Sequence, residues 1–124
     1  MMLIDSDVFI DALRGVEKAE MWMKNAIESG DAFFSAITES ELLSGEACNE
    51  KEKRGALLHL LSMLEKISVD NPIAQIAGDI RRKYRLLLPD AIIAAPALHI
   101  RGSLVTRNVK DFSAIKEIKL EIPY

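Results

Sequence analysis

The chain has 124 residues, 49% hydrophobic and 28% charged, with 16 Lys and Arg against 19 Asp and Glu, a formal net charge of −3 and an isoelectric point near 5.4. That length predicts one domain over residues 1–124 with a real core, in an ordinary soluble globular mixture. It excludes a membrane helix, because no window reaches about 18 consecutive apolar residues, and an intrachain disulfide, because Cys48 is the one cysteine. Met1 to Asp7 lacks the basic stretch and long apolar run of a secretory signal, so the expected compartment is the reducing cytoplasm, with no membrane partner. The acidic balance counts against a general nucleic-acid binder. A nuclease that holds divalent cations escapes that argument, because its acids serve the metal.

Met2-Leu3-Ile4 reads as a short buried strand, and Asp5-Ser6-Asp7 as the cap of a first helix. Ala19, Trp22, Met23, Ala26 and Ile27 recur at helical spacing until Ser29-Gly30-Asp31 stops them. Ala32 to Ile37 reads as a second strand, after which Thr38 opens a helix to about Cys48. Lys51 to Glu65 is strongly helical, with Leu57, Leu58, Leu61 and Leu64 on one face. Ile67-Ser68-Val69 is a short strand candidate. Asn71-Pro72 starts a helix with Ile73, Ile76, Ala77, Ile80 and Tyr84 inward, and Pro89 starts another that runs to Ile100 before Gly102. Ser103 to Thr106 and Ile118 to Ile122 complete the strands.

Strands that alternate with helices predict an α/β fold with a parallel sheet covered on both faces. Sites in such folds form beyond the carboxyl ends of the strands. Asp5 directly follows Leu3-Ile4, Glu41 lies just past the second strand, and Asp111 lies five residues after Thr106. In a parallel sheet all three reach one edge. Asp90, which follows Pro89 with no clear strand before it, joins them only if its helix starts at that edge. Crowded carboxylates repel unless protons or cations intervene, and hard cations such as Mg²⁺ and Mn²⁺ take oxygen ligands. Such a cluster can hold one metal or a pair, activate water and neutralise charge on an attacked phosphate.

Each acid also has a purely structural explanation. Thr38-Glu39-Ser40-Glu41 fits a capping box, Asp90 a helix first turn after proline, and Asn108-Val109-Lys110-Asp111 a cap with an acid at its third position. Spacing alone gives a cluster and no specific reaction.

Four segments are more specific than the acids within them. Met2-Leu3-Ile4-Asp5-Ser6-Asp7-Val8-Phe9-Ile10-Asp11-Ala12-Leu13-Arg14-Gly15, Ser35 to Gly45, Pro89-Asp90-Ala91-Ile92-Ile93-Ala94-Ala95 and Leu104 to Phe112 together resemble the PIN domain, in that family's order and across nearly the whole chain. More narrowly they are similar to the VapC-type toxins of toxin–antitoxin pairs. The resemblance implies a PIN-like three-layer α/β/α sandwich with a mainly parallel central sheet. It implies a Mg²⁺- or Mn²⁺-dependent endoribonuclease with RNA as substrate, a cognate antitoxin as partner and a homodimeric assembly. Asp5, Glu41 and Asp90 match the family's three dependable acids, either Asn108 or Asp111 fills the fourth place, and Thr106, Ser6 and Thr38 match supporting polar residues. Three departures stand out. Asp7 replaces the usual Asn or Ser and adds a carboxylate. Pro96 falls inside the Asp90 helix, where a lost backbone bond costs about 3 kcal/mol unless the helix kinks. Leu86-Leu87-Leu88 occupies a loop that is often polar or glycine-bearing.

Arg14, Arg107 and Lys110 lie near the expected site and are candidates to hold RNA backbone. The run Arg81-Arg82-Lys83-Tyr84-Arg85 reads better as a solvated helix end. His59 and His99 stand apart from the motifs, which argues against a histidine-based ribonuclease, and Cys48 has no partner pattern. Val8, Phe9, Leu13, Trp22 and Met23 read mostly as core, with a dimer or antitoxin surface as the other use. The mechanism expected is in-line attack of a metal-activated water on a phosphodiester, leaving 3′-hydroxyl and 5′-phosphate ends. Two other readings are a non-catalytic PIN-like RNA-binding module and a phosphatase using Asp5-Ser6-Asp7, the latter without a convincing lysine motif.

Overall fold

The computed structural model describes residues 1–124. Five strands, β1 (Met2–Ile4), β2 (Ala32–Ser35), β3 (Glu65–Ile67), β4 (Ser103–Val105) and β5 (Lys119–Glu121), form one sheet in the order β3-β2-β1-β4-β5. Every pairing is parallel, so the sheet is wholly rather than mainly parallel. Alternate residues of the central strands enter opposite cores. Leu3 and Leu104 face one core, and Ile4 and Val105 face the other.

The helices are α1 (Ser6–Leu13), α2 (Glu17–Ser29), α3 (Ala36–Leu43), α4 (Lys51–Ser62), α5 (Asn71–Tyr84), α6 (Leu88–His99) and α7 (Val109–Phe112), with a 3-10 turn at Glu46–Asn49. Ile73, Ala77, Ile80, Ile93, Ala97 and Phe112 from α5, α6 and α7 cover one face of the sheet. Val8, Phe9, Met23, Leu57 and Leu61 from α1, α2 and α4 cover the other, with the Phe9 ring edge-on to Phe34 at 6.0 Å. Burying each large apolar side chain stabilises by about 1.5–3 kcal/mol, so these two layers hold the sandwich. No helix is long and apolar enough to cross a membrane.

Several sequence boundaries move. The second strand ends at Ser35, not Ile37, and α3 begins at Ala36 because the Ser35 hydroxyl accepts the Ile37 N–H at 3.2 Å. Thr38 is therefore inside the helix, and the expected Thr38–Glu41 capping box does not form. α3 stops at Leu43 rather than near Cys48, which lies in the 3-10 turn. β3 takes Glu65–Ile67, residues expected partly in the preceding helix, and forms an exposed edge strand. Pro96 is buried within α6, which continues to His99.

Candidate active site

β1 sits between β2 and β4, so the chain winds outward from it in both directions. The crevice at the carboxyl ends of β1 and β4 is the switch point of the sheet, where open α/β folds bind ligands. Asp5 leaves β1 there. It is a charged residue only 9% exposed, and its carboxylate accepts the Ser6 N–H at 2.7 Å as the cap of α1. Its other oxygen accepts the Thr106 hydroxyl at 2.9 Å. Thr106 follows β4 and is fully buried. Burial first, then the charge of Asp7, and last that of Glu41 push the Asp5 carboxyl up to about 6 against the pull of the Thr106 and Ser6 bonds.

Asp7 lies beside Asp5. Its Oδ2 accepts the Arg107 backbone N–H at 2.9 Å and faces the Thr106 hydroxyl at 3.3 Å, while its Oδ1 is buried with no hydrogen-bond partner. The single hydroxyl proton of Thr106 can serve only one of the two carboxylates at a time. Glu41 projects from α3 and is exposed, and its Oε1 accepts the Ser6 hydroxyl at 3.0 Å. Thr38, three residues earlier, is fully buried with an unpartnered hydroxyl. Asp90 stands in the first turn of α6, so that helix does begin at the same edge. Its carboxyl is raised by burial first and by Asp111 second. Asp111 is exposed and accepts the Asn108 side-chain amide at 2.7 Å. Asn108 thus spends its side chain on Asp111 instead of capping α7, and its backbone N–H donates to the Thr106 hydroxyl at 2.9 Å.

Asp5, Asp7 and Glu41 therefore form one group of interacting acids, and Asp90 with Asp111 a second. α3 packs against both α1 and α6 and links the two. As the side chains are placed, no three acidic, histidine or cysteine residues close around one point. The donor set is all oxygen, which suits a hard divalent cation, and the orphaned Asp7 oxygen and crowded Asp5 are what a cation would relieve. Of the expected RNA contacts, Arg14 and Lys110 are exposed without an ion pair, whereas Arg107 bonds Asp11 at 3.2 Å. His59 and His99 are exposed and lie outside this edge, and the Arg81–Lys83 end of α5 is solvated as expected.

Two residues near the site were missed from sequence. Asp11 had a signal, because it lies one helical turn after Asp7 on α1. Tyr124 had none, because it reaches Asp11 from 113 residues away, with its hydroxyl donating at 2.6 Å.

An all-parallel α/β/α sandwich with acids gathered at the carboxyl edge of its central strands is the architecture of PIN domains. The sequence model for the PIN domain matches residues 2–118, and the chain belongs to that family. Within the family it is similar to Ribonuclease VapC10 of Mycobacterium tuberculosis, 34% identical over 124 residues that span 96% of this chain and 91% of that protein. Ribonuclease VapC19 of the same organism is 31% identical over 130 aligned positions that cover both chains fully. Among solved structures, a toxin–antitoxin complex from Klebsiella pneumoniae matches with a TM-score of 0.79 at 34% identity, over 100% of this chain and 98% of that one.

Proposed function

We propose that this chain is the endoribonuclease toxin of a toxin–antitoxin pair, acting in the cytoplasm with Mg²⁺ or Mn²⁺. The carrying observation is the buried Asp5, held near 6 at the switch point of the sheet with Asp7 and Glu41 beside it. Asp5 also caps α1, but an uncharged Asn would do that as well, so the cap does not account for a crowded, buried charge, and such perturbed groups cluster at functional sites. The PIN relatives named as ribonucleases agree with that reading.

In this reading Asp5, Glu41, Asp90 and Asp111 hold the cation, with Asn108 as the alternative fourth donor. The bound cation would supply Lewis-acid activation of water and neutralise charge on the phosphate. The protein supplies orientation. Thr106 fixes the Asp5 carboxylate, Ser6 steadies Glu41 and Asn108 steadies Asp111. The N-termini of α1, α3 and α6 add positive potential at the edge where the phosphate must sit. Arg14, Arg107 and Lys110 remain candidates for RNA backbone.

An antitoxin partner fits the surface. A groove of about 760 Å³ between α1, α3 and α4 is lined by Ile10, Leu13, Arg14, Leu42 and Leu57, and Glu41 stands in its wall. A protein segment seated there would cover apolar surface and reach Glu41 at once, which couples binding to silencing. A homodimer is also expected, as light scattering would read directly.

The test is cleavage of a labelled RNA pool with Mg²⁺, Mn²⁺ or EDTA, beside Asp5→Asn and Asp90→Asn. Cutting should need the cation and fall more than about a hundredfold in each variant, beyond the loss typical of outer-shell substitutions. Cutting that persists in EDTA overturns the mechanism. If calorimetry detects no Mn²⁺ binding and no RNA is cut, the splayed placement of the acids marks a non-catalytic RNA-binding module instead.

A further inference from the structure

Arg107 does not behave as an ordinary surface arginine. Its backbone is fixed on both sides: its own N–H donates to Asp7, Thr106 before it is buried and bonded to Asp5, and the Asn108 N–H after it donates to the Thr106 hydroxyl. The side chain is then laid down rather than left free. Its Nη1 donates to Asp11 Oδ2 at 3.2 Å, and its guanidinium carbon lies 5.1 Å from the centre of the Tyr124 ring. The Tyr124 hydroxyl donates to the same Asp11 oxygen at 2.6 Å. Three distant parts of the chain thus meet to orient one guanidinium: α1, the turn after β4, and the segment after β5.

Stability does not explain this arrangement. The Tyr124–Asp11 hydrogen bond does not need the arginine, and what the arginine adds, a half-exposed ion pair and a cation–π contact, yields about what immobilising its side chain costs. What the arrangement produces is preorganisation. A guanidinium carries five N–H donors, and one is used in a hydrogen bond here. The side chain remains half-exposed, two residues past the end of β4 at the edge where the acids stand, with the other donors available to an anion.

We propose that Arg107, laid on Tyr124 and tethered by Asp11, is the anchor for a phosphate of the RNA strand next to the cleaved bond. Asp11 and Tyr124 are positioning residues that act through it. This rests on the endoribonuclease reading above. It differs from general basic attraction because it assigns one phosphate to one side chain whose direction is set in advance.

The experiment is fluorescence anisotropy of a labelled single-stranded oligoribonucleotide of mixed sequence, titrated with the non-cleaving Asp90→Asn protein in Mg²⁺ across a range of NaCl. Arg107→Ala should weaken binding about tenfold and reduce the log–log salt slope by about 0.7, the value for one phosphate contact on a single strand. Arg107→Lys should restore the slope but not the full affinity, since the charge returns without the planar fork. Tyr124→Ala should leave the slope unchanged and weaken binding roughly threefold, because the charge stays but its direction is lost. In the cleaving protein Arg107→Ala should raise KM more than it lowers kcat. Arg101→Gln, at the opposite edge of the sheet, controls for loss of one surface charge and should change neither quantity. A slope and affinity unchanged in Arg107→Ala, in a protein that otherwise binds the RNA, overturn the anchor and leave the nuclease reading standing. No RNA binding by the parent protein overturns both.

Discussion

Asp5 carries the largest local consequence of the site's chemistry. Its carboxyl is raised from 3.8 to about 6 by burial and by its neighbours Asp7 and Glu41, so the metal-free folded chain holds this proton more tightly than the unfolded chain does. The stability it contributes is full below the unfolded value and is lost as pH rises through the folded one. Metal-free protein should therefore lose about 3 kcal/mol from this group between about pH 4 and pH 6. Asp5→Asn keeps the shape and removes the charge, so thermal melts in EDTA should show the variant more stable than the parent at neutral pH and no more stable at pH 4. An equal loss with pH in both proteins would place the effect elsewhere. Asp7, which crowds Asp5, gives a second prediction. Asp7→Asn should shrink the same loss and also supply an amide that can donate to Asp5. Its metal affinity, read by Mn²⁺ calorimetry, should fall about tenfold, within the range for outer-shell partners.

At the level of elements, the long periodic segments were legible and the short junctions were not. α5 was read from Asn71-Pro72 and its inward Ile73, Ala77 and Ile80, and it forms as expected with Asp70 as its cap. The β2–α3 junction was misread because Ala36 and Ile37 continue an apolar run, and periodicity cannot divide such a run between strand and helix. The deciding residue is Ser35, fully buried, whose hydroxyl starts the helix that carries Glu41. Ser35→Ala should cost about 1 kcal/mol, visible as a drop of a few degrees in melting temperature. It should also lower cleavage, because the helix that aims Glu41 frays. The other junction is Gly102, where a Cβ would run into the Met1 carbonyl oxygen. That close approach brings Ser103 N–H to the Met1 carbonyl and starts the β1–β4 pairing. Gly102→Ala should destabilise by about 1–3 kcal/mol as an overpacking defect, and denaturant unfolding would measure it.

For the whole molecule, the site depends on strand order, which no local pattern contains. Asp5 and Thr106 are 101 residues apart and meet because β1 pairs with β4; Asp11 meets Tyr124 across 113. The four motif segments single out the acids, but which acids crowd which is set by the winding of β1 between β2 and β4. The same winding ties cation binding to global stability. If the acids at this edge hold Mn²⁺, cation at about a hundred times its Kd should stabilise the fold by about 2.7 kcal/mol. It should also reverse the response to pH. Without metal, the folded chain binds more protons at Asp5 than the unfolded chain does, so stability falls from about pH 4 to pH 6. With metal saturating, Asp5 is held ionised and the folded chain binds fewer protons, so stability over the same window must rise. Melting curves in EDTA and in saturating Mn²⁺ across that range should therefore slope in opposite directions, and in Asp5→Asn the two slopes should converge. Parallel slopes in the unsubstituted protein would mean that the cation does not engage Asp5, and would remove Asp5 from the set of metal-holding acids.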